Sequence, residues 1–170
     1  MFIRTFYVRI SANRIKIDSP GISQSFDDSA VVAIQADKAG IERIAAVGKQ
    51  AEIMHGQPGV RIGRPFDHPR LATHDPLVAS KLMQFAVREV MKAIPWYQAT
   101  PLVKIIMHPQ FDFEGGLTAT EFSAFADLAA SCGARHIYFL SGPELSPNEI
   151  QNHAFQKAVK ALPSIRPNVR

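Results

Sequence analysis

The stretch from Leu102 to Ile150 constrains the fold most, because it reads as a strand, a helix, a strand and the start of another helix. Val103-Lys104-Ile105-Ile106-Met107 is a short run rich in β-branched residues, the composition of a buried strand. Thr118-Ala119-Thr120-Glu121 then spells a capping box, in which the Thr hydroxyl and the Glu carboxylate each satisfy a backbone N–H that the first helical turn leaves orphaned. Phe122, Phe125, Ala129 and Cys132 follow at helical spacing, and Gly133 stands where a C-terminal cap belongs. Ile137-Tyr138-Phe139-Leu140 is the next strand. Ser146-Pro147-Asn148-Glu149 repeats the capping box with Pro at the first helical position, where a missing N–H is harmless. Strands alternating with helices predict an α/β domain.

The rest of the chain fits that class. Phe2–Ile10 and Arg14–Ile17 predict a hairpin around Ser11-Ala12-Asn13, and Asp18–Ser29 reads as turns. Val31–Ile34 and Ile44–Val47 are two further strands, and Lys49–His55 is a short helix ending at Gly56. Gln57–Arg70 is extended and punctuated by Pro58, Pro65 and Pro69. Asp75-Pro76 starts a stronger helix: Asp75 caps it, Pro76 suits the first turn, and Val78, Leu82, Phe85 and Ala86 share a face. That helix ends before Pro95. Trp96 and Tyr97 then form either a surface anchor or a loop packed over the core. The tail 163–170 carries two prolines and reads as a surface appendage.

Bulk properties exclude several classes. With 46% hydrophobic and 20% charged residues, the 170-residue chain has a globular composition, and no apolar run reaches the ~18 residues that span a bilayer. The N-terminus alternates like a strand and lacks the apolar core and cleavage site of a signal peptide. One cysteine, Cys132, excludes an intrachain disulfide and fits a reducing cytoplasm. The net charge of +4 is scattered, without a basic run or stripe, so no nucleic-acid partner is expected. The six histidines show no paired ligand spacing, so no metal is expected either.

These residues also resemble a known family. Gly133-Ala134-Arg135-His136-Ile137-Tyr138-Phe139-Leu140 with Pro143 resembles the Gly-Ala-Arg-Glu-Val-Tyr-Leu-Ile-Glu-Glu-Pro stretch of the MreB-type bacterial actins. Ser29-Ala30-Val31-Val32-Ala33-Ile34 is similar to the family's Pro-Ser-Val-Val-Ala-Ile strand. Ala46-Val47-Gly48-Lys49-Gln50-Ala51 is similar to its Ala-Val-Gly-x-Glu-Ala turn. Arg64-Pro65, and Asp75 ahead of Met83–Val90, resemble the segments that follow. The resemblance runs in the family's order over roughly the first 146 residues. It implies the first domain of an actin-like ATPase, a ribonuclease H-like mixed sheet with flanking helices. On this reading residues 1–162 form one actin-like half, with an inserted lobe at about 29–70, and 163–170 form the tail.

The same resemblance argues against catalysis. The family's first phosphate hairpin reads Asp-Leu-Gly-Thr-Ala-Asn-Thr, and Val8-Arg9-Ile10-Ser11-Ala12-Asn13-Arg14 stands there instead. The acidic residue that helps to place Mg²⁺ has become Val8. The glycine that lets backbone amides approach a phosphate has become Ile10. Arg9 and Arg14 flank this hairpin as exposed arginines. Ser141-Gly142-Pro143 replaces the family's Glu-Glu-Pro, whose second Glu positions the attacking water, and neither Ser141 nor Gly142 can act as a base. The second hairpin, Asp-x-Gly-Gly-Gly-Thr in the family, has no counterpart in these 170 residues. The expectation is therefore a non-catalytic, cytoplasmic interaction module without cofactor or catalytic residues, whose partner is an actin-like filament protein or a second copy of itself. The alternative is a nucleotide-binding ATPase half completed in trans, with Ser11, Asn13 and Asp75 as its residual site. His108–Gly116 is longer than the family's loop, and Phe111 and Phe113 in it either contact a partner or fold back into the core.

Overall fold

The computed structural model describes residues 3–95, 97 and 102–151. Its backbone is a mixed five-stranded sheet built from β1 (Ile3–Ile10), β2 (Arg14–Asp18), β3 (Phe26–Ser29), β7 (Leu102–Pro109) and β8 (Ala134–Phe139), in the order β3-β2-β1-β7-β8. β1 lies antiparallel to β2 and parallel to β7, and β8 continues the parallel half. Between β3 and β7 the chain leaves the sheet to build a smaller one, β4 (Val32–Ala36), β5 (Glu42–Val47) and β6 (Val60–Gly63), ordered β5-β4-β6. Helix α1 (Lys49–Ile53) packs on this lobe through Ala51, beside Val31 and Ala33. Helices α2 (Pro76–Met91) and α3 (Ala119–Ser131) cover one face of the large sheet, and α4 (Pro147–Gln151) meets the other.

Strand periodicity sorts the side chains. Along β1, Phe6, Val8 and Ile10 point to the helix-covered face, while Tyr7 and Arg9 point to the opposite one. Phe6, Val8, Ile10, Ile15, Ile17, Ile105 and Met107 join Leu82, Met83, Phe125 and Ala129 of the helices in one continuous core. Each large side chain buried there contributes about 1.5–3 kcal/mol. Tyr7, Ile106, Leu140 and Ile150 form a second, smaller cluster behind the sheet.

The caps are where the sequence puts them. Asp75 Oδ1 accepts the Val78 N–H at 3.1 Å, Thr118 and Glu121 close a full capping box, and Ser146 and Glu149 exchange the same bonds. Glu121 also accepts the Ala72 N–H at 3.1 Å, tying the approach to α2 onto α3. Gly133, at φ +79°, ends α3 in the left-handed region.

Three readings change. Asp18–Ser29 is not all turns: Phe26–Ser29 pairs with β2, where Arg14 and Lys16 face Asp27 from the neighbouring strand. Val60–Gly63, inside the proline-punctuated stretch, is a strand completed by β4. Phe85 does not share the buried face of Val78, Leu82 and Ala86. It lies at the helix margin, 36% exposed, edge-on to Phe26. Trp96 and the 163–170 tail lie outside the described residues, and Tyr97 is exposed.

The joint between the two sheets depends on one glycine. Gly48 has φ +66°, and a Cβ there would overlap the Asp28 carboxylate. Asp28 Oδ1 accepts the Lys49 and Ser29 N–H groups at 3.0 and 2.8 Å, and the Gly48 N–H donates to Val31 O at 2.8 Å.

Candidate functional site

The β1–β2 hairpin is where the family resemblance expects a phosphate. Ser11 N–H donates to Arg14 O at 3.0 Å, closing a turn tipped by Ala12 and Asn13, and Ala30 N–H donates to Asn13 O at 2.9 Å. Val8 and Ile10 are fully buried in the main core. Sheet alternation then places Arg9 on the other face, opposite His108 on β7 and Lys16 on β2.

Arg9 overturns the sequence expectation. It is 7% exposed rather than a surface arginine. Its guanidinium sits 4.7 Å from the Tyr7 ring centroid, ion-paired on one side with Asp18 and on the other with Glu144 Oε2 at 2.7 Å. Gln110 Nε2 donates to the second oxygen of Glu144, also at 2.7 Å. The bonds from Gln110 and Arg9 hold the Glu144 carboxyl below its usual pKa. Arg9, Gln110 and Glu144, together with Ser11, Arg14 and Lys16, line a cavity of about 190 Å³. Arg14, as expected, is exposed, and it pairs with Asp27 at 2.7 Å while Lys16 lies 3.8 Å from the same carboxylate. The three cations of the hairpin thus face three carboxylates: Asp18, Asp27 and Glu144.

The loop after β8, which carries Ser141-Gly142-Pro143, is fixed by a hydrogen-bonded chain. His108 Nε2 donates to Gly142 O at 3.1 Å, since a carbonyl only accepts. That leaves Nδ1 to accept from Tyr7 Oη at 2.7 Å, and Tyr7 Oη in turn accepts the Leu145 N–H at 3.2 Å. Burial pushes the His108 pKa down and the Tyr7 pKa up, favouring the neutral form of each.

The remaining candidates are dispersed. Ser11 and Asn13 share the hairpin tip, with Ser11 Oγ 3.4 Å from Asn13 Oδ1, whereas Asp75 is engaged in capping α2 and lines a different cavity with Arg61 and Leu77. Phe111 and Phe113 stack at 5.2 Å and pack half-buried on the core, Phe111 lying 5.9 Å from Phe125. His68 and His74 come within 5.8 Å of each other, but among the described residues no group of three metal-ligating side chains forms. Tyr7, Asp18, His108, Gln110 and Glu144 escaped sequence reasoning. The one signal available was strand parity, which puts Tyr7 and Arg9 on the face opposite Val8 and Ile10.

The topology defines the class of protein. This is an actin-like α/β domain: MreB5 of Spiroplasma citri bound to ADP superposes with a TM-score of 0.60 at 16% identity, over 81% of this chain and 37% of that one. A non-polymerising mutant of MamK bound to AMPPNP superposes with a TM-score of 0.57, over 81% of this chain and 40% of its own. Within that class the sequence relatives are the cell shape-determining protein MreB. The Haemophilus influenzae protein is 31% identical over 120 residues, and the Pasteurella multocida protein is 29% identical over the same length. Over this stretch the chain is homologous to MreB. The match covers 69% of the chain but 32% of each relative, so the chain spans about a third of the length of the proteins it matches. No family model matches it.

Proposed function

We propose that this chain is a non-catalytic, cytoplasmic interaction module on the actin-like fold, whose partner is an MreB-type filament or a second copy of the chain. The observation that carries the reading is the buried Arg9 held between Asp18 and Glu144. A nucleotide phosphate at this hairpin would need open backbone amides and uncommitted positive charge. Instead the branched side chains of Val8 and Ile10 fill the core, and each nearby cation already has a carboxylate of this chain. The residues present do not fit a magnesium nucleotide. Gly142, aligned with the family's water-positioning Glu, contributes only its carbonyl, and that carbonyl is taken by His108.

The trans-completed ATPase is less well supported. Asp75 is committed to the helix cap, in a cavity apart from Ser11 and Asn13. The free thiol of Cys132, raised by burial to about 11, is unreactive, and a chain with this single cysteine suits a reducing compartment. We take residues 1–162 as the functional unit with 29–70 as its lobe, and Phe111 and Phe113 as the first contact residues to vary.

The test is co-sedimentation with full-length MreB filaments, with and without ATP, together with thermal unfolding in Mg·ATP. We expect saturable pelleting and no ATP-dependent stabilisation. A chain that stays monomeric and unpelleted would remove the filament and self-association reading. A shift in melting temperature with Mg·ATP, alone or with the filament protein, would restore the nucleotide-binding alternative.

A further inference from the structure

A second surface on this chain has no part in the hairpin. Between the small lobe and α2 runs an open groove of about 640 Å³, lined by Ile44 and its neighbours on β5, Ile53 and Met54 at the end of α1, and Phe85 of α2. Ile53 is 70% exposed. The way β5 enters this groove is informative. All four consecutive residues from Ile44 to Val47 line it: Ile44 and Val47 pack towards the main core, Ala46 towards the opposite, α1-covered face, and Ala45 is the extra residue of a bulge between them. The groove thus reaches residues of both faces of β5, which is an outer strand of the small sheet, paired on one side to β4.

β5 bulges at Ala45, the extra residue between its pairings with Ala33 and Ile34 of β4, and that bulge is the one irregularity of this edge from Ile44 to Val47. Natural edges are protected by proline, by charges, by bulges or by a covering element; proline and charge are missing from Ile44 to Val47, where Ala45 and Ala46 carry the smallest side chains a strand can have. The opposite wall has its own character. Lys81 and Arg88 flank Phe85 on the exposed stripe of α2, two helical turns or about 10 Å apart, and neither forms an ion pair among the described residues.

An outer strand edge free of proline and charge, an apolar floor and two unmatched cations together specify an occupant. We propose that β5 is a docking edge for an extended acidic segment of another protein. That segment would add as a fourth strand of the small sheet, set apolar side chains on Ile53, Met54 and Phe85, and turn carboxylates to Lys81 and Arg88. The proposal rests on the reading of the chain as an interaction module. It concerns a different surface from Phe111 and Phe113.

The probe is a displayed library of random peptides of about ten residues, selected against the full chain. Enriched peptides are then synthesised and measured by calorimetry and amide hydrogen exchange. Three results are expected: alternating apolar and Asp/Glu residues in the selected sequences, slowed exchange at Ile44–Val47, and loss of binding when alternate peptide nitrogens are methylated. The double substitution Lys81→Glu with Arg88→Glu should leave the circular dichroism intact and weaken binding about tenfold or more. Basic or helical binders, an affinity indifferent to the charge reversal, no enrichment, or dimerisation of the chain through this edge would each overturn the proposal. Filament co-sedimentation by the same double variant separates the two ideas. If pelleting persists while no peptide binds, the module reading stands and the docking edge fails.

Discussion

The two faces of the five-stranded sheet solve opposite problems with the same strands. On the helix-covered face, Phe6, Val8 and Ile10 of β1 meet Leu82, Met83 and Phe125, and stability comes from close packing of apolar atoms. On the other face, Tyr7 and Arg9 alternate with them and are joined to His108, Asp18, Gln110 and Glu144 by hydrogen bonds and ion pairs. One hydrophobic residue added to the first face enlarges a core. One polar residue added to the second demands a partner, because an unpaired buried charge is costly. At the hairpin both tendencies meet: Val8 and Ile10 extend the apolar face, while Arg9 recruits two carboxylates across it. The positions at which the family resemblance expects ligand chemistry have been divided between the two solutions.

Substitutions can break this contrast one face at a time. The largest effect is expected for Phe125→Ala, which removes the ring touching Phe66 and Phe111 in the centre of the core. It should lower the unfolding free energy by about 3–5 kcal/mol in urea titrations. Arg9→Ala strips the polar face of its central cation and of the alkyl stem beside Tyr7. Because Asp18 and Glu144 are partly exposed and can rehydrate, the loss should be smaller, about 2–3 kcal/mol by the same measurement. A loss as large as that of Phe125→Ala would mean that the two faces do not differ in kind.

The hydrogen-bonded chain gives a sharper test. Tyr7→Phe leaves His108 Nδ1 and the Leu145 N–H without their partner, at about 1–2 kcal/mol. Its pH dependence has a definite sign. The His108 pKa lies below the ordinary 6.5 in the folded chain, so on acidification the unfolded chain takes up the proton first. Stability is full above 6.5 and falls as the pH drops towards the folded value. Melting temperatures followed from about pH 7 to about pH 5 should decline in the native chain and stay flatter in His108→Gln. Glu144 and Asp27 are also depressed, so both variants should still lose stability at lower pH, as these carboxylates protonate. The smallest expected change is Glu144→Gln. Its side chain is about half exposed and Asp18 still pairs Arg9, so the loss at neutral pH should be no more than about 1 kcal/mol.

Much of the fold could be read from the chain because its signals are local. The Thr118–Glu121 and Ser146–Glu149 boxes and the Asp75-Pro76 start each lie within four residues, and all three caps form. β3 was hidden because Asp27 and Asp28 disfavour a strand by themselves, and the pairing of Asp27 with Arg14 and Lys16 becomes possible only when β2 lies alongside. Phe85 fits a helical stripe on paper, yet the lobe leaves its side of α2 uncovered. The hairpin itself was legible through resemblance. Its closure was not, because Glu144 reaches Arg9 from 135 residues away and no local pattern announces such a pairing.

Gly48 bears on how this chain can change over generations. Most positions tolerate some neighbouring residue, the surface broadly and the core within limits of volume. At Gly48 every other amino acid brings a Cβ into the Asp28 carboxylate and a backbone angle that L-residues avoid. Any single missense change in that codon therefore strains the backbone and forces the Asp28 carboxylate, with the two N–H groups it holds, to shift. Change in the lobe or the sheet that leaves this corner alone meets no such obstacle, while change at the corner must move both Asp28 and the backbone it holds.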